Sequence, residues 1–121
     1  MEAAGGSRPC APEPPKLEAV PGSSDSLRVS WTSVVSDPPV LRYSVLMRKV
    51  DATSGWQYFD ASSGKLVDSG GSAVRPGSAK DCVVSGLEAG AKYVAKFRAA
   101  NVHGFGAFSG MSTLGKLHIF A

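Results

Sequence analysis

The sequence predicts an all-β chain folded as an antiparallel sandwich, and three observations carry that prediction. Seven segments rich in β-branched, aromatic and aliphatic residues recur at short spacing, parted by clusters of Gly, Pro, Ser and Asp. No stretch shows helical periodicity. The third observation is the run from Leu87 to Ser109. Leu87, Gly90 and Tyr93 stand at the spacing of a tyrosine corner, where a tight turn leads into a strand and the phenol hydrogen-bonds back across it. Beyond the corner Tyr93, Ala95, Phe97 and Ala99 fall on one face, and Val94, Lys96, Arg98 and Ala100 on the other. That period of two marks a central strand with one buried face.

Taken in order, residues 1–13 offer Gly, Ala, Pro, Ser and scattered charge, too little apolar surface to offset the entropy of ordering. They are expected to form a disordered tail or linker, with the folded domain over 14–121. Pro14 and Pro15 admit a strand over 14–20 only at a sheet edge. After a Pro-Gly-Ser-Ser-Asp turn, Leu27, Val29 and Trp31 alternate with polar residues in a second strand, and Tyr43, Val45 and Met47 take the inward face of a third over 41–49. Residues 56–59 read as a short edge strand. The span 60–80 is Ser- and Gly-rich and long, the kind of loop that is more often functional or disordered than inert. Within it, residues 65–67 could fold back on Tyr58 and Phe59 as an extra hairpin. The next strand, 81–87, has Cys82 and Val84 inward. The last should lie within 111–120, where Gly115 breaks the alternation as a bulge or strand end.

The corner, the strand after it, and Asn101, Gly104, Gly106 and Ser109 beyond resemble the second half of a fibronectin type III domain. The family pattern is Leu-x-Pro-Gly-x-x-Tyr, a strand, then Asn-x-x-Gly-x-Gly and a Ser. Ala89 stands where the family has its Pro. Trp31, in Ser-Leu-Arg-Val-Ser-Trp, and Tyr43 also match family positions. The resemblance implies an immunoglobulin-like, seven-stranded sandwich with sheets of three and four strands. Its core would include Trp31, Tyr43, Leu87, Tyr93 and Phe97, with the Tyr93 hydroxyl bonded to backbone between Leu87 and Gly90. Asn101, Gly104 and Gly106 would supply the positive φ that a hairpin loop needs.

With 121 residues the chain has room for one modest core. The net charge of +3 comes from basic residues spread from Arg8 to Lys116 without a run, which argues against a nucleic-acid binder. No apolar run suggests a signal peptide or membrane insertion. Cys10 and Cys82 are expected as free thiols, and with no sequon and no signal they lean toward an intracellular protein. His103 and His118 have no ligand partner at metal spacing. Cys82 reads as a core thiol, and Gly104-Phe105-Gly106 lacks the third Gly and the helix of a dinucleotide loop. No catalytic residue, metal or cofactor is therefore expected, and the chain is read as not an enzyme.

Binding signals are partial. The family's adhesion tripeptide Arg-Gly-Asp and the Trp-Ser-x-Trp-Ser signature of cytokine receptors are both absent. Arg42, Arg48, Lys96 and Arg98 fall on the solvent side of two strands that pair in this fold. Such charges can also serve only to keep a sheet soluble. In the loop after the central strand, Phe105 is expected to point outward beside His103, the alternative being that it covers the core. Phe108 is expected to pack on the sandwich end. The resulting expectation is a noncatalytic protein–protein interaction module of a larger protein, monomeric in isolation, its partner another protein contacted through His103, Phe105, Arg42, Arg48, Lys96 and Arg98. A passive structural spacer, or an accessory domain appended to an enzyme, is the alternative.

Overall fold

The computed structural model describes residues 7–32, 34–51 and 53–116. Among them are nine strands: β1 (Lys16–Ala19), β2 (Leu27–Ser30), β3 (Arg42–Lys49), β4 (Gln57–Asp60), β5 (Lys65–Val67), β6 (Asp81–Val84), β7 (Lys92–Asn101), β8 (Gly104–Phe105) and β9 (Gly115–Lys116). One sheet has the order β1-β2-β6; the other runs β5-β4-β3-β7-β8, with β9 also on β7. All pairings are antiparallel. β8 pairs one end of β7 and β9 the other, so they are two pieces of one interrupted edge strand. β5 is the extra hairpin partner, with Asp60 opposite Lys65 and Tyr58 opposite Val67. Seven sandwich positions remain, in agreement with the fold read from the sequence.

Alternation builds the core as expected. Tyr43, Val45 and Met47 on β3 face Ala99, Phe97 and Ala95 on β7, and all six are buried. Leu27, Val29 and Val84 meet them from the other sheet. Trp31, just past the end of β2, extends the sheet by donating its backbone N–H to the Lys80 carbonyl. Its indole Nε1 donates to the Ala79 carbonyl at 3.1 Å, and its ring lies 5.1 Å from both Tyr43 and Phe97. Tyr43 Oη donates to the Gly77 carbonyl at 2.7 Å, and burial pushes its phenol pKa up. The corner forms: the Glu88 N–H, between Leu87 and Gly90, donates to Tyr93 Oη at 3.0 Å.

Three local readings need correction. Within the tail expected from composition, residues 7–9 are tied to the sandwich. Asn101 Nδ2 donates to the Ser7 carbonyl at 2.7 Å, Arg8 Nε donates to the His103 carbonyl at 3.2 Å, and Pro9 is buried. Gly106 permits this approach, since a Cβ there would collide with the Pro9 carbonyl oxygen. Residues 1–6 lie outside the described residues. Of the three residues expected to supply a positive φ, Gly104 does, at 116°, and Asn101 and Gly106 do not. Asn101 has another role. It is a buried clamp whose Oδ1 also accepts the His103 N–H.

The last strand is the third correction. Residues 106–114 follow β7 without forming a ladder, because Ser109 and Ser112 use their hydroxyls in place of carbonyls. Phe97 N–H donates to Ser109 Oγ and Ala95 N–H to Ser112 Oγ, while the serine N–H groups return bonds to the Phe97 and Ala95 carbonyls. Strand geometry resumes only at Gly115, where the backbone comes so close to Leu17 of β1 that a Cβ would sit 2.7 Å from the Leu17 Cβ. The rest of the expected strand, 117–120 with His118, lies outside the described residues.

Candidate interaction face

The outer face of the larger sheet is defined by the side chains that β3 and β7 turn away from the core. The β3–β7 register places Arg42 opposite Ala100, Ser44 opposite Arg98, Leu46 opposite Lys96 and Arg48 opposite Val94. The four expected cations thus share one face, in the order their strand positions dictate. Like charges this close would repel on a bare sheet.

Aromatic rings separate them. Arg48 Cζ lies 5.6 Å and Lys96 Nζ 4.4 Å from the centre of Trp56, which stands just before β4. Lys96 Nζ and Arg98 Cζ are each 4.6 Å from Phe108. Arg98 Cζ and Arg42 Cζ are 4.3 and 5.0 Å from Phe105. The result is one alternating row, Arg48, Trp56, Lys96, Phe108, Arg98, Phe105, Arg42, in which each inner cation is shared by two rings. Each such contact is worth about 0.5–1 kcal/mol at an exposed site. The row also covers Leu46, Val94 and Ala100, which are buried although they lie on the outer face.

This placement revises two expectations. Phe105 neither projects free nor covers the core. It pairs with Ala100 across β7–β8, lies half-buried on the outer face, and is held there by two guanidiniums. Phe108 packs on the same face rather than on the sandwich end, because the irregular segment after β8 carries it over β7. His103 sits at the β7–β8 turn, with its backbone tied to Arg8 and Asn101. Sequence reasoning missed Trp56, and Phe108 as a member of the face. Trp56 precedes a short edge strand, and Phe108 lies where no alternation exists to follow.

Beside the row is an open groove of about 470 Å3 lined by Arg42, Ser44, Arg98 and Phe105 on one side and by residues 70–73 and Arg75 on the other, with Tyr58 and Phe59. The far wall is held by Asp60, whose carboxylate accepts the Ser72 N–H at 2.9 Å and the Ser62 and Ser63 hydroxyls at 2.8 and 2.9 Å. Those donors, led by Ser72 N–H, keep the Asp60 pKa well below the usual carboxylate range. Arg75 was also missed, since its span reads as loop by composition.

The groups considered for catalysis are placed as follows. Cys82 packs against the core, and burial, with a smaller contribution from Asp81, pushes its thiol up to about 12. Among the described residues no cluster of His, Cys, Asp and Glu could hold a metal, and no helix is long and apolar enough to cross a membrane.

Comparisons with known proteins agree with this architecture. The family profile described as "Fibronectin type III domain" matches residues 11–114. No curated protein sequence matches significantly. Among solved structures, the FN1–FN3 domains of chicken CNTN1 superpose with a TM-score of 0.70 at 14% identity, covering 93% of this chain and 33% of that one. The third fibronectin III domain of human KIAA0343 protein gives 0.66 at 16% identity, covering 100% and 92%. Titin domains A168–A170 give 0.64 at 20% identity, covering 90% and 33%.

Proposed function

The chain belongs to the fibronectin type III family, and from that premise we propose that it is a noncatalytic protein–protein interaction module of a larger protein, with the outer face of β3 and β7 as its contact surface. The family supplies a scaffold that hosts many functions, so the argument rests on the face itself. The observation that carries it is the alternating row from Arg48 to Arg42. It sets four cations and three rings on one face of the larger sheet, and Arg and aromatic side chains are the ones that dominate protein interfaces. None of the four cations forms an ion pair among the described residues, where both carboxylate pairs fall on Lys49. The face therefore offers an uncompensated positive field to a partner. Membership of a longer chain is supported by similar structures that are segments of multidomain proteins, this chain spanning about a third of the CNTN1 and titin fragments.

The test is affinity capture from the source organism's extract with the immobilised chain and two charge reversals. Lys96→Glu strikes the middle of the row; Arg28→Glu strikes the exposed surface of the other sheet. A protein retained by wild type and Arg28→Glu but lost by Lys96→Glu supports the reading. Equal effects of both variants would move the contact elsewhere, and retention of nothing would favour a spacer.

A further inference from the structure

The groove beside the row gathers cationic side chains on its open surface, and Asp60, the carboxylate that holds its far wall, is not among the residues that line it. Tyr43 and Val74 form an antiparallel bridge, and that register sets Arg42 opposite Arg75 and Ser44 opposite Ala73. Val74 is buried, so its neighbours Ala73 and Arg75 turn to the outer face. On its other side Ser44 faces Arg98. Three guanidiniums thus surround one small side chain, and no Asp or Glu lines the groove. Like charges directly opposite across strands are destabilising.

We propose that this groove binds the carboxylates of an acidic, extended peptide segment of a partner protein, with Arg42, Arg75 and Arg98 as the charged contacts and the space over Ser44 as the seat. The proposal rests on the interaction reading above and adds the chemistry of what is recognised. Guanidinium forks match carboxylates in plane and can bond them in pairs. A nucleic acid fits less well. Phe105 is already engaged by Arg42 and Arg98 rather than presented for base stacking.

The experiment measures binding of a fluorescent peptide of alternating Glu and Asp, its Gln and Asn counterpart and a single-stranded oligothymidylate to the full chain at fixed ionic strength. The acidic peptide is expected to bind and the amide peptide not. Arg75→Gln and Arg42→Gln should each weaken the acidic peptide by about tenfold or more, the loss of a charge-assisted hydrogen bond. Arg48→Gln, at the far end of the row, should change it by less than about twofold. Arg75→Gln should also leave the thermal midpoint unchanged or raised, since it removes a like-charge opposition. Tighter binding of the oligothymidylate, equal loss in Arg48→Gln, no loss in Arg75→Gln, or a lowered midpoint for Arg75→Gln would each overturn the assignment. Failure here with Lys96-dependent partner capture intact would remove the groove and leave the contact face standing.

Discussion

At the scale of single residues, the Tyr93 hydroxyl accepts a backbone N–H that has no other partner in the corner. Tyr93→Phe strands that Glu88 N–H and should cost about 1–3 kcal/mol, read as a lowered urea midpoint. An unchanged midpoint would deny the bond its role. The corner was legible because its three residues sit at a fixed spacing. Asn101 was legible as a position but not as to purpose, because composition marks Asn as a turn former while it is the tertiary fold that brings its amide to Ser7. The two cysteines make a sharper contrast: Cys10 is exposed, whereas the Cys82 thiol is packed on the core. Under native conditions iodoacetamide should alkylate Cys10 alone, Cys82 reacting only on unfolding. Equal labelling of both in the folded chain would contradict the packing.

At the scale of elements, the Glu88–Ala91 turn closes with a 3.1 Å hydrogen bond and has φ of 79° at Gly90, its third residue. That is type II geometry, which favours Pro at the second residue, now Ala89. Ala89→Pro should raise stability by about 0.4–1 kcal/mol by restricting the unfolded chain, and a lowered thermal midpoint would show a conflict with the turn. The loop at 70–75 depends on Asp60 in its charged form. Because its folded pKa lies below that of the unfolded chain, the stability it contributes is present above about pH 4 and lost as pH falls through the carboxylate range. Wild type should therefore lose urea resistance on acidification more steeply than Asp60→Asn, and parallel curves would deny the carboxylate that role. Strands β2, β3, β6 and β7 were legible from alternation, β1 and β4 from prolines, residue type and the turns beside them, and β5 as a possible hairpin partner across the turn at 62–64. The last strand was not, since Ser109 and Ser112 replace carbonyls with hydroxyls and no side-chain period records that exchange.

At the scale of the whole molecule, the two sheets bury one aromatic core, and the larger sheet carries the charged face. The cations of that face could be read from the sequence because they lie on regular strands with a known register. Trp56, Phe108 and Arg75 could not, because they reach the face from loops whose paths are set by tertiary packing, and Phe105, expected as a contact, could not be placed between Arg42 and Arg98. The central claim is that recognition occurs on this face, at the groove over Ser44. The most direct measurement is amide chemical-shift mapping of the chain titrated with the Glu/Asp peptide. The account predicts that shifts gather at residues 42–44, 70–75, 98 and 105 and leave β1, β2 and β6 unmoved. Shifts centred on β1, β2 and β6, or none at a saturating peptide concentration, would contradict it.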